Sequence, residues 1–151
     1  ITHDALSECG LEVDFWGVAI RPGKPLLFGH LSGVPFLGFP GNPVSTLVCA
    51  VVYLRPAIDA MLGVGNKEFK ETTAQLACDL GANDARQDYL RVRLARDEEG
   101  SLTASPFSKQ DSSMISILSQ ADGLLIRPPH APAIKAGARA TVIPMSGCQV
   151  G

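Results

Sequence analysis

Eight consecutive residues, Gly38-Phe39-Pro40-Gly41-Asn42-Pro43-Val44-Ser45, restrict what this chain can fold into more than any other stretch. An extended segment ends at Phe39, because the residue before a proline is pushed toward extended backbone. Gly41 permits a turn that a side chain would obstruct. Asn42 suits a helix N-cap, and Pro43 fits the first helical position, where its missing N–H would have had no partner. Strand, sharp break and helix are therefore dictated locally. The free amides of the next residues are expected to point outward, and such a helix start favours phosphate or another anion. In an open α/β sheet this place, beyond the carboxyl end of a strand, is where ligands sit. Capping alone also explains Asn42 and Pro43 with no ligand at all.

Around this break the first segment, Ile1 to about Gly65, alternates helix and strand signals. Ala5 to Gly10 reads as the last turns of a helix ended by glycine, and Leu11 to Ile20 as a strand. Arg21-Pro22-Gly23-Lys24-Pro25 is a turn with Pro22 and Gly23 at the corners that a type II turn favours. Leu26 to Leu31 and Val34 to Phe39 read as short strands around Ser32-Gly33. In the helix after Asn42, Val44, Leu47, Val48, Val51, Val52 and Leu54 leave almost no polar face, which predicts burial in a core or a subunit interface. Pro56 interrupts or kinks it, and Ala57 to Leu62 continues to a stop at Gly63. Gly65-Asn66-Lys67-Glu68 is the candidate linker.

The second segment, about Glu68 to Gly151, changes to a rhythm of strands and turns. Glu71 to Leu80 and Asp88 to Arg96 are strand candidates. Asp97-Glu98-Glu99-Gly100 is a polar turn from which Leu102 to Phe107 returns as a hairpin partner. Ser113 to Ala121 reads as a short helix, Gly123 to Arg127 and Ala138 to Pro144 as strands, and Pro128 to Gly137 as a loop. Short strands with one small helix predict a compact barrel or sandwich.

Composition narrows the function. A net charge of −2 with no basic run argues against a nucleic-acid binder, although a few placed cations suffice for a small anion. No apolar run approaches the roughly 20 residues of a membrane-spanning helix, and Leu47 to Leu54, the longest, suits a buried helix. Ile1-Thr2-His3-Asp4 lacks a signal peptide's basic start, and the absence of an initiator methionine predicts that the chain begins inside a longer protein. Cys9, Cys49, Cys78 and Cys148, like His3, His30 and His130, are too scattered for a zinc site, so free buried thiols in a cytoplasmic protein are expected. No nucleophile stands with its base.

Phe15-Trp16-Gly17-Val18-Ala19-Ile20-Arg21-Pro22-Gly23-Lys24-Pro25, Phe28-Gly29 and the Gly38–Ser45 stretch resemble the molybdopterin molybdenumtransferase family. That family includes bacterial MoeA and the carboxy-terminal domain of gephyrin. Asp88-Tyr89-Leu90-Arg91-Val92-Arg93-Leu94 and Gln110-Asp111-Ser112-Ser113-Met114 are similar to its last domain. The resemblance implies that residues 1–65 end a molybdopterin-binding, three-layer α/β domain and that residues 68–151 form a small all-β, barrel-like domain. It implies a transferase of molybdenum cofactor biosynthesis. The enzyme takes adenylated molybdopterin and molybdate, inserts the metal at the dithiolene sulfurs and releases AMP with the help of Mg2+. It also implies a homodimer whose site the partner subunit completes. The acidic metal ligands would precede Ile1, leaving Asp4, Glu8, Glu12 and Asp14 as helix-surface and strand-edge residues and this chain catalytically incomplete.

Carried over residue by residue, Lys24, and Arg21 where the family usually has lysine, would contact the anionic substrate or molybdate. Pro40, Gly41, Asn42, Pro43 and Ser45 would shape the pterin-phosphate pocket. Arg91 and Ser112 match positions that face the cleft, with Asp111 standing where a glycine is expected. The residues alone leave plainer roles open: a solvated turn for Arg21 and Lys24, an outward-facing strand residue beside Arg93 for Arg91, and a helix cap for Ser112. Alternative functions are a gephyrin-like scaffold that grips a partner peptide, a related pterin- or nucleotide-processing enzyme, and tungsten in place of molybdenum.

Overall fold

The computed structural model describes Ala5, residues 8–64, residues 71–108, Gln110 and residues 119–145. The candidate linker, Ser112 and all but the end of the expected Ser113–Ala121 helix lie outside the described residues.

The first segment builds a three-stranded antiparallel sheet from β1 (Leu11–Trp16), β3 (Leu27–Leu31) and β4 (Val34–Gly38), in the order β1-β3-β4. The expected strand Leu11 to Ile20 is in fact two elements. Gly17, at φ 96, turns the chain after β1, and Ile20–Arg21 forms a separate short strand, β2. Ser32 and Gly33 both take positive φ, as a tight hairpin between β3 and β4 requires.

A helix then runs from Pro43 to Met61 in three pieces: α1 (Pro43–Cys49), a π-turn (Ala50–Leu54) and α2 (Arg55–Met61). The wide turn falls just ahead of Pro56, where an ordinary turn would meet the proline ring and lack its N–H, so the helix widens there. This continuous stretch corrects the expectation that nothing approaches a membrane span, since by length and composition it would suffice. Its packing says more: Val44, Val48 and Cys49 are buried, the last two in a core shared with the second segment. Burial is nonetheless one-sided. Leu47, Ile58, Met61 and Leu62 are exposed, so the apolar composition does not translate into a fully covered helix.

The second segment is a small closed β-barrel. Its strands are β5 (Thr72–Leu76), β6 (Gln87–Arg96), β7 (Leu102–Pro106), β8 (Gly123–Arg127) and β9 (Arg139–Pro144). They follow the order β6-β7-β5-β9-β8, and β8 returns to pair with β6. The β6–β7 hairpin turns where Asp97 Oδ1 accepts the N–H groups of Glu99 and Ser101. The expected strand to Leu80 is shorter: the regular ladder ends at Leu76, after which the Ala77 N–H donates to the Ala104 carbonyl at 2.9 Å and Leu80 bridges to Ile134 outside the named strands.

Period-two alternation gives the barrel two apolar faces. Ala74, Leu76, Val92, Leu102, Ala104, Leu125 and Val142 fill its interior. Tyr89, Leu124 and Ile143 face outward into a second cluster with Ile20, Leu26, Val48 and Cys49 of the first segment. The two segments thus share a core. They also share a sheet, because β2 pairs in parallel with the start of β6 through Ile20–Gln87 and Arg21–Asp88. Asp88 pairs with Arg127 of β8 on its other side. The first segment shows an antiparallel sheet and a helix, and a layered α/β domain is not established by these elements.

Candidate functional site

The loop before the helix folds as its residues dictate. Asn42 is the N-cap, and its Oδ1 accepts the N–H groups of Val44 at 3.0 Å and Ser45 at 3.2 Å. The Thr46 hydroxyl reaches back to the carbonyls of Pro40 at 2.6 Å and Asn42 at 3.0 Å, closing the loop on itself. Pro40 and Ser45 are buried, while Gly41 and Pro43 are exposed. These bonds correct one expectation: the first amides are not free for an anion, because the cap side chain takes them. The loop is preorganised, but it is closed as an amide cradle.

The Arg21–Pro25 turn docks on the same helix. Its hydrogen-bonded corner lies later than expected, with the Leu26 N–H donating to the Gly23 carbonyl at 3.2 Å and Lys24 and Pro25 between them. Gly23 serves packing as much as turning. At φ 119, a Cβ there would stand 2.6 Å from Cys49 Sγ and 2.8 Å from Ile20 Cδ1. Cys49 lies seven residues beyond Asn42, so the turn meets the helix about 10 Å along the axis from the loop. Burial pushes the Cys49 thiol up to about 11, which keeps it protonated and unreactive. Cys9 and Cys78, in contrast to the expectation of buried thiols, are exposed.

The two cations of this turn have different surroundings. Lys24 is exposed and has no acidic partner among the described residues. Arg21 is engaged with the barrel: Nε donates to Asp88 Oδ1 at 2.8 Å, Nη2 to Asp88 Oδ2, and Nη1 to Asp84 Oδ2 at 3.1 Å. The Asp88 bond holds the guanidinium pKa above its ordinary value. The Arg86 amide, then its side chain, hold the Asp84 carboxyl below the usual carboxylate range. Asp84 was not singled out in the sequence, and Asp88 only opened a motif and a strand. The signal was available only as two acids, one just ahead of a strand and one at its start, with nothing to name their partner.

Arg91 lies on the outward row of β6, between Tyr89 and Arg93, as strand alternation predicts. It is not solvent-facing, however, being 1% exposed while Arg93 is open. Gln110, which sequence reasoning had placed only in a motif, clamps its backbone. Its Oε1 accepts the Arg91 N–H at 3.0 Å, and its Nε2 donates to the Arg91 carbonyl at 3.0 Å. Arg91 pairs in register with Leu124, which packs in the cluster that holds Val48 and Cys49. The turn, the helix and the Arg91 wall therefore gather around one apolar cluster, with the Asn42 loop at the helix start.

Among the described residues no group of three or more His, Cys, Asp or Glu side chains could hold a metal ion. Glu8 and Glu12 are exposed, and Asp14 faces His30 at 3.0 Å. These residues do not fit a magnesium site.

A closed five-stranded barrel carrying a buried arginine on its outer wall, joined to a capped strand-to-helix loop, defines the class. Residues 73–145 match the family model of the MoeA C-terminal region (domain IV). The chain is 30% identical to a molybdopterin molybdenumtransferase of Haemophilus influenzae over 96% of its length and 36% of the relative's. It is 31% identical to that of Synechocystis sp. over 87% of its length and 31% of the relative's. A crystal structure of a molybdopterin biosynthesis MoeA protein from Pyrococcus horikoshii superposes with a TM-score of 0.78 at 28% identity, covering 97% of this chain and 35% of that one. The chain belongs to the molybdopterin molybdenumtransferase family, a family of molybdenum cofactor biosynthesis, and corresponds to its carboxy-terminal part. It spans about a third of the length of the relatives it matches.

Proposed function

We propose that the chain is part of a cytoplasmic, homodimeric enzyme that inserts molybdate into adenylated molybdopterin and releases AMP. Residues 1–65 would be the end of the molybdopterin-binding α/β domain. The observation that carries this reading is Lys24: an exposed ammonium without an acidic partner among the described residues, on a turn locked to the helix that begins at Asn42. A cation so placed has a charge to offer an anion. Pro40, Gly41, Asn42, Pro43 and Ser45 would give a substrate pocket a fixed wall, and Arg91 would contribute from the barrel; Ser112, carried over from the resemblance, lies outside the described residues. With its first amides already bonded, the loop acts by shape and the anion is met by side chains.

The test is AMP release from adenylated molybdopterin by the full-length protein, with and without molybdate, in a magnesium-containing assay. A well-folded protein with no molybdate-dependent release would sink the proposal. Within that assay Lys24→Ala should weaken molybdate binding about tenfold or more, the size of a charge-assisted bond, and leave the melting temperature close to wild type. Unchanged affinity would return Lys24 to the solvated surface. Asn42→Ala should cost about 1 kcal/mol of stability and lower turnover, whereas Asn42→Asp should keep the cap. Turnover unaffected by Asn42→Ala would remove the loop from the chemistry.

A further inference from the structure

We infer that Arg21 is a positioning residue that clasps the Lys24 turn to the β-barrel and is not a ligand of the substrate anion; what the clasp serves rests on the function proposed above. Two of the acceptors, Asn83 and Asp84, are held by neighbours other than Arg21, and the third, Asp88, stands in β6. Asn83 Nδ2 is tied to the carbonyls of Arg86, Arg127 and Pro128 at 2.8, 3.0 and 2.9 Å. Asp84 accepts the Arg86 N–H at 2.9 Å and its guanidinium at 3.2 Å. Asp88 is 4% exposed, a buried carboxylate that needs a charged partner. Arg21 supplies it bidentately, reaching Asp84 with Nη1 and Asn83 Oδ1 with Nη2 at 3.4 Å. The backbone repeats the connection, since β2 pairs with β6 at the same residue and the Gln87 N–H donates to the Ala19 carbonyl at 2.9 Å.

A planar fork can satisfy both oxygens of Asp88 and still reach a second acid, which a lysine cannot do as a point charge. The strand that ends in Arg21 leads directly into Pro22, Gly23 and Lys24. Fixing Arg21 therefore sets where Lys24 stands relative to the barrel wall that carries Arg91. Two cations that could both meet an anion are divided in labour, one holding the turn and the other facing outward.

The experiment compares Arg21→Ala, Arg21→Lys, Asp88→Asn and the Arg21→Ala/Asp88→Asn double variant of the full-length protein. Amide hydrogen exchange is read at Val18 and Leu26, whose N–H groups bond the Lys24 and Gly23 carbonyls inside the turn. Molybdate affinity is measured in parallel. Each single variant should speed exchange at these amides about tenfold or more, as loss of a charged hydrogen bond implies. The double variant should be no faster than Arg21→Ala alone, barrel amides such as Leu125 and Val142 should not change, and molybdate affinity should fall in step. If Asp88→Asn leaves exchange and affinity at wild-type values while the Arg21 variants lose affinity, Arg21 is a direct ligand and the inference is overturned. Equal acceleration at Leu125 and Val142 would also overturn it, reducing the pair to a general stability element. If molybdate binds to no form while exchange behaves as expected, the clasp stands and the functional proposal falls.

Discussion

Gly23→Ala is expected to lower stability by about 3 kcal/mol and to lift the Arg21–Pro25 turn from the helix. Two penalties add. The backbone sits at φ 119, a conformation that side chains rarely adopt, and the new methyl would press on Cys49 Sγ and Ile20 Cδ1. Neither neighbour is the loose end of a surface chain, since both are buried in the cluster that joins the two segments. Cys49→Ala in the same background should recover roughly 1 kcal/mol by removing one of the two obstacles, leaving the strain and Ile20. Urea midpoints of the single and double variants give the comparison. A Gly23→Ala protein as stable as wild type would mean that the turn is free to move away from the helix, and Lys24 would lose its fixed place.

The second large effect separates neighbours in β8. Leu124→Ala and Leu125→Ala should each cost about 3 kcal/mol, since both side chains are fully buried and each truncation leaves a cavity. Their consequences should differ, because the strand sends them to opposite faces. Leu125 belongs to the barrel interior, and its loss should weaken protection across β5, β7 and β9. Leu124 belongs to the cluster that holds Val48 and Cys49, and its loss should loosen the helix and turn while the barrel amides hold. Hydrogen exchange resolved by residue distinguishes the two. Identical exchange patterns would show that both clusters melt as one unit and that the outer wall is not a separate joint.

What the sequence made legible was local. Asn42 and Pro43 announce a helix start by chemistry that operates within four residues, and the structure places the cap and the first helical position there. The β6–β7 hairpin is equally local, because Asp97 and Gly100 specify a turn between alternating runs. Closure of the barrel was not legible in that way. It depends on β8 returning to β6 and on a short parallel pairing of β5 with β7, and alternation says which face a residue takes, not which strand lies beside it. The same gap explains the site. Arg21, Lys24 and Arg91 could be named as candidates, yet the acids that occupy Arg21 lie more than sixty residues away, and burial of Arg91 depends on what covers the barrel's outer wall. The outward amides were expected because a helix start offers them in general; the Asn42 side chain had the shorter path to them.

The short parallel pairing of β2 with β6 bears on where this protein can be cut. The family match begins at residue 73 and would mark the barrel as a separable module. Trimmed to that boundary, the barrel would present a bare strand margin at Gln87 and Asp88, a buried carboxylate stripped of its counter-charge, and Tyr89, Leu124 and Ile143 open to water. Unpaired margins and uncovered apolar walls invite self-association. The boundary that homology draws and the boundary that cohesion draws therefore differ, and a soluble excision would have to keep Ile20 to Leu26 and the helix that follows.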